Sequence, residues 1–212
     1  MKIKARDYAK KEEFWNVLTH GLGLALSIPA LVLLIVYSSI YESVWHIVSF
    51  SIYGATLVIL YTASTLFHHA KESKIRLRLN VFDHASIYLL IAGTYTPYLL
   101  VSLRGPWGWS LFGVVWGLAI TGVILKLFYT GRYNKISTLF YVLMGWIIII
   151  AIKPLLGSLS PEGIFWLAAG GLSYSIGAVF YLLNKLPYNH AIFHVFVLLG
   201  SIFHFISIFF YV

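Results

Sequence analysis

Seven apolar runs of about twenty residues each, joined by short polar loops, leave this chain few ways to fold. They cover residues 16–39, 44–68, 82–103, 109–129, 136–156, 163–183 and 189–211. A helix rising about 1.5 Å per residue crosses the hydrocarbon layer in about 20 residues, so each run is one span. Only 10 % of the 212 residues are charged, against about 25 % in a soluble domain. Such a chain cannot cover a soluble globule with polar surface and needs lipid as its solvent. Membrane β-barrel strands would be shorter and alternating. The expected fold is all-α: a polytopic membrane protein, one seven-helix transmembrane domain over residues 1–212, with a short tail, 1–15. The first run exceeds a signal-peptide core and is read as a retained helix.

Loop charge sets the expected direction. Lys2, Lys4, Arg6, Lys10 and Lys11 precede the first run, and Lys71, Lys74, Arg76 and Arg78 follow the second. Lys126, Arg132 and Lys135 follow the fourth, and Lys185 the sixth. Thirteen of the fifteen basic residues therefore fall on one side, with Arg104 and Lys153 on the other. The basic side of a membrane protein faces the cytoplasm. This puts the N-terminus inside and the C-terminus at the extracellular face. Tyr41, Trp45, Trp107 and Trp109 suit an aromatic belt at the outer interface. The formal charge of +8 follows from these loops, and no basic soluble domain is present to bind nucleic acid. Pro29, Pro97 and Pro154 are expected to kink or end helices. Gly113 and Gly117 form a GxxxG pair, expected to pack inside the bundle or else to mark a homo-oligomer face.

The same orientation gathers chemistry. His20, His68, Asp83, His190 and His194, from four separate segments, fall in one cytoplasmic layer, whereas Glu42 and His46 sit at the outer ends. Ionisable groups are costly at membrane depth, and function is the default reason for keeping them. His190 and His194, at i and i+4, share a helix face and can hold one metal ion with His68. The chain has no cysteine, so thiolate sites are excluded. Three imidazoles suit Zn2+ best, although copper, iron and nickel also accept such donors. Three protein ligands leave a fourth position open, the pattern of a catalytic site, and zinc lowers the pKa of its water toward neutral. Asp83 can hold that water, take its proton or be a fourth ligand. Ser64, one turn before His68, can orient the ring or the water, or bond to its own backbone. His69 and His84 are expected to point away from the site. His204, about 15 Å beyond His194 along its helix, is expected to be a packing or pathway residue.

These residues carry a resemblance. Glu13-Phe-Trp-Asn16-Val-Leu-Thr19-His20 resembles the first signature of the progestin and adipoQ receptor superfamily. Ser64-Thr-Leu-Phe-His68 resembles the second, and Asp83-His-Ala-Ser86 followed by Leu-Leu-Ile-Ala-Gly-Thr-Tyr-Thr-Pro the third. His190-Ala-Ile-Phe-His194, followed by His204-Phe, resembles the last. The short loops, with no domain ahead of the first run, look like the bacterial hemolysin III branch rather than the adiponectin receptors. The resemblance implies a cytoplasmic-side zinc with His68, His190 and His194 as ligands and Asp83 reaching it through water. For function it points both to ceramidase-like lipid hydrolysis and to hemolysis.

Three functions follow as expectations. The first is a zinc-dependent hydrolase of a lipid amide or ester in the cell membrane, with Asp83 and Ser64 as catalytic residues. The second is a sensor or regulator of membrane state with structural zinc and lipid as ligand. The third is a pore-forming hemolysin acting by cytolysis, for which the sequence offers no amphipathic inserting segment. A retinal Schiff base has no lysine in the last run to form on. A transporter would show repeats or broken helices, and neither is evident.

Overall fold

A computed structural model describes residues 8–212. Lys2, Lys4 and Arg6 of the expected cytoplasmic charge cluster lie outside the described residues. The elements in order are α1 (Lys10–Tyr41), α2 (Val44–His69) and α3 (Ser73–Pro97), the last continued by a π-helical turn (Tyr98–Ser102). Then come α4 (Pro106–Tyr129), α5 (Asn134–Gly145), a 3-10 turn (Ile147–Ala151) and α6 (Ile152–Ser158), followed by α7 (Pro161–Leu182) and α8 (Asn189–Tyr211). No strand occurs among the described residues. Among the described residues, seven helical segments are long and apolar enough to cross a membrane, α5 and α6 together forming one of them. α1 packs on α2 and α8, α2 on α3, α3 on α4, and α7 on α8, which closes the two ends of the chain against each other. The span made by α3 and its π turn is mostly buried, whereas α1 is largely exposed, so α3 is central and α1 lies at the periphery of the bundle.

Two boundaries differ from the hydropathy pattern. α1 begins at Lys10 and α3 at Ser73, so Lys74, Arg76 and Arg78 occupy early helical turns and not a loop. Hydropathy ends a span where side chains turn polar. The helix itself continues, because Arg76 donates from Nη1 to the carbonyls of Phe67 and Ala70 at 3.2 Å and covers the Phe67 ring.

The fifth span is broken, contrary to the expectation of unbroken helices. α5 stops at Gly145 and helix resumes at Ile152. Tyr95 of α3 satisfies the freed backbone: its hydroxyl lies 3.1 and 2.8 Å from the Met144 and Gly145 carbonyls and accepts from the Ile148 N–H at 3.0 Å. Pro154 falls in the first turn of α6, where a missing N–H costs nothing. Pro97 ends α3 just before the π turn, and Pro29 lies within an otherwise continuous α1.

Tyr41, Trp107 and Trp109 are exposed at the end of the bundle remote from the basic loops, as a belt requires. Gly113 and Gly117 do not pack inside the bundle. Both are exposed, and a Cβ on either would meet nothing within 4 Å. Gly108 is the opposite case: a Cβ there would lie 2.6 Å from the Leu103 carbonyl oxygen, which cannot rotate away. Gly108→Ala is therefore expected to cost about 1–3 kcal/mol and to lower the unfolding temperature in detergent. Gly113→Ala should instead be neutral or stabilising by up to about 1 kcal/mol, since alanine is favoured over glycine in a helix interior. Equal effects at the two glycines would contradict this packing.

Candidate metal centre

His68 is the penultimate residue of α2, and His190 and His194 lie one turn apart in the first two turns of α8. α1 packs against both helices and brings the histidines together at the basic end of the bundle. All three are buried, and one nitrogen from each lies within 4.8 Å of the others. Among the described residues this is the one such group of metal-type donors. Tyr188, just before α8, has the left-handed backbone (φ 57°) that turns the chain into the helix. The Glu12 carboxylate accepts from the His190 backbone N–H at 3.4 Å, using one of the donors that a helix start leaves unpaired.

Hydrogen bonds decide which nitrogen His68 and His194 present. His68 Nδ1 lies 2.7 Å from Glu13 Oε2. An ionised carboxylate only accepts, so Nδ1 carries the proton and Nε2 keeps its lone pair. His194 Nδ1 lies 3.3 Å from the Asn16 carbonyl and 3.3 Å from Thr19 Oγ1. The Thr19 hydroxyl already donates to the Trp15 carbonyl at 2.8 Å, so His194 Nδ1 is again the donor and Nε2 the lone pair. His68 Nε2 faces His190 Nε2 at 3.1 Å. Four nitrogens about 2.0–2.1 Å from a tetrahedral ion are about 3.3–3.4 Å apart. The His68–His190 spacing is within a few tenths of an ångström of that edge. The three imidazoles could therefore hold a metal ion between them.

Glu13, Asn16, Thr19 and Arg76 lie behind the histidines, linked to them and to each other by hydrogen bonds and an ion pair. Glu13 also pairs with Arg76, so one carboxylate joins a potential ligand on α2 to a cation on α3. The run containing Glu13 and Thr19 was visible as a signature, but these supporting roles depend on contacts across more than fifty residues of chain. Carboxylate and histidine at that separation give no local signal.

The remaining sequence candidates separate clearly. Asp83 is buried and lines a cavity shared with His20, His190 and His194, but it is not one of the closely grouped donors. Its carboxylate lies 3.6 Å from His84 Nδ1. His84, expected to point away, lines the same cavity and bonds the Asn80 carbonyl at 2.9 Å. Ser64 is buried, and its Oγ has no hydrogen-bond partner among the described residues, so it is not bonded to its own backbone. His69 is exposed. His46, at the far end, contacts Ser43, Glu42 and the Val212 backbone. His204 bonds the Gly200 carbonyl at 2.7 Å and stacks on Tyr174, which makes it a packing residue at the deep end of the cavity.

The family model described as "Haemolysin-III related" matches residues 8–205. The chain belongs to the haemolysin III family. It is 51 % identical over 202 residues to "Hemolysin-3" of Bacillus cereus, covering 95 % of this chain and 92 % of that protein. It is 49 % identical over 201 residues to "Hemolysin-3 homolog" of Bacillus subtilis (strain 168), covering 95 % and 94 %. It is also 30 % identical over 199 residues to "Monocyte to macrophage differentiation factor" of Homo sapiens, covering 91 % and 81 %. Family membership and seven apolar helices together make this haemolysin III protein a multi-pass membrane protein.

Carboxylates that orient a metal-binding imidazole typically contribute 10–100-fold to affinity. Glu13→Gln in this haemolysin III protein is expected to weaken divalent-metal binding by about that factor, measured by competition with a chromogenic chelator. Undiminished affinity would mean that Glu13 merely neutralises Arg76.

Proposed function

We propose that the chain is a zinc-dependent hydrolase of a lipid amide or ester. In this reading its basic end faces the cytoplasm and it resides in the cell membrane. One observation carries the proposal: two of the three grouped histidines line an apolar cavity that also presents a carboxylate. The cavity encloses about 130 Å³ and runs from Asp83, His190 and His194 to His204. Its lining runs along the roughly 15 Å that ten helical residues span, and its volume, close to that of an engineered apolar cavity that binds benzene, admits a short length of hydrocarbon. Leu90, Ile91, Phe193 and Val197 supply apolar walls. A lipid would seat its chain there and bring its polar end to the histidines.

Zinc bound at His68, His190 and His194 would polarise the lipid carbonyl and activate water at the open position. Asp83 would take the proton of the attacking water and return it to the leaving group. Ser64, buried one turn before His68 with its hydroxyl unengaged, would orient that ring or the water. Glu13 and Thr19 would hold His68 and His194 in the tautomers that present Nε2. The apolar walls would exclude bulk water.

A second reading is a membrane-state sensor with structural zinc, favoured by the deep burial of all three histidines and by the place of Asp83 outside their close group. Pore formation is suggested by the relatives named Hemolysin-3. The interior cavity, ending among packed residues at His204 and Tyr174, offers it little support. The exposed Gly113–Gly117 face would suit a homo-oligomer contact.

Purified protein is expected to carry about one zinc per chain, as a three-histidine site would, and to release fatty acid from labelled ceramides or acyl lipids. His194→Ala should lose both metal and turnover. Zinc well below stoichiometric would sink the metal proposal. Full zinc with no turnover, and a lower unfolding temperature after chelation, would favour the sensor. Dye release from liposomes at low protein-to-lipid ratio would favour the pore.

A further inference from the structure

The proposed ligand set leaves His20 of α1 unused. It is 3 % exposed, and neither ring nitrogen has a hydrogen-bond partner among the described residues. Its neighbours differ: His68 is held by Glu13, and His194 by Asn16 and Thr19. The His20 ring lies flat on His194, with centroids 3.4 Å apart and planes 13° apart, and meets Tyr61 edge-on at 5.2 Å. It lines the cavity beside Asp83, His190 and His194.

The stack argues against a fourth metal ligand. The lone pair of His194 Nε2 lies in the plane of that ring, one ring thickness away from the plane of His20, so an ion held there would not meet the His20 nitrogens. His20 is accordingly not part of the close donor group. Buried polar atoms rarely go unpaired, and those that do point to a ligand or water. A neutral imidazole offers one donor and one acceptor. Its natural complement is an uncharged group that both accepts and donates. Against a neutral imidazole a charged group would lose its hydration without an opposing charge from that ring in return.

We propose that His20 is a ligand-contact residue that holds a hydroxyl or amide at the polar end of a lipid whose chain fills the cavity. The proposal rests on the lipid reading of the cavity, but requires neither hydrolysis nor zinc.

The test uses the full chain in detergent and three probes: hexadecanol, hexadecyl methyl ether and hexadecane. The alcohol donates and accepts, the ether only accepts, and the alkane does neither. Binding is read by native mass spectrometry, with metal content measured in parallel. The intact protein is expected to prefer the alcohol over the ether by roughly tenfold or more, since a site built around a hydroxyl rejects an analogue lacking it. His20→Phe keeps the aromatic stack and removes both nitrogens; it should abolish that preference while leaving metal content unchanged. His20→Asn, which retains a donor and an acceptor, should restore part of it.

An intact preference in His20→Phe would overturn the proposal, as would metal loss in that variant, which would make His20 a ligand. Equal binding of alcohol and ether by the intact protein would assign the nitrogens to water. If none of the three probes binds, the lipid reading of the cavity falls and the proposal with it. Alcohol preference without lipid turnover would leave the His20 assignment standing and remove only the hydrolase.

Discussion

One carboxylate, Glu13, fixes the geometry of the basic end of this bundle. It accepts from His68 on α2 and pairs with Arg76 on α3, while the adjacent Glu12 accepts from the first turn of α8. The first turns of α1 therefore tie together helices from both ends of the chain. Arg76 and Glu13 are each largely withdrawn from water. Removing either partner leaves an uncompensated charge, which costs far more than the intact pair contributes. The link also has a direction. By accepting the hydrogen bond from His68 Nδ1–H, Glu13 turns the Nε2 lone pair toward His190. A structural ion pair thereby sets the polarity of the histidine cluster.

The cavity depends on a second accommodation. An unbroken fifth span would have no backbone groups to satisfy, but the break after Gly145 frees several inside an apolar layer, where each is expensive. The Tyr95 hydroxyl serves three of them, and the Trp146 indole that follows bonds Ser175 of α7 at 2.9 Å. Tyr95, Gly145 and Trp146 all line the cavity. The space beside the histidines is thus bounded by a helix break whose polar cost is met from α3 and α7. That is consistent with a retained opening and not with a packing defect.

The number of spans was legible because hydropathy over twenty residues depends on composition and tolerates errors of detail. The histidines were legible for a related reason: the i, i+4 pair at 190 and 194 and the charged loops place residues without any tertiary knowledge. The parts that escaped are those set by contacts between distant segments. Arg76 reads as a loop residue until Phe67 and Glu13 are seen around it. Gly113 and Gly117 have the same spacing whether they face lipid or a neighbour. The break after Gly145 has no strong local mark, since its partner is a tyrosine fifty residues earlier. His84 was placed by helical angle alone, which locates a side chain around its own helix but does not say where the next helix stands.

A purely structural ion and a reactive one make different demands on what surrounds the histidines. A structural site is best closed, with its fourth position filled by protein and its neighbours apolar. Here the close donor group contains three side chains, and the space next to it is bordered by Asp83 and by His20 with both nitrogens unpaired among the described residues. Polar atoms left in this state inside an apolar bundle lower its stability, and packing alone gives no reason to keep them. Their cost is recovered only when something with matching donors and acceptors enters. The proposed lipid would supply the chain for the apolar walls and the polar end for His20 and Asp83 in one molecule. Water could satisfy the polar atoms but would gain nothing from the long apolar bore leading to His204. On the proposed reading, the histidine cluster and the elongated apolar cavity beside it suit an amphipathic ligand whose polar end would meet the histidines.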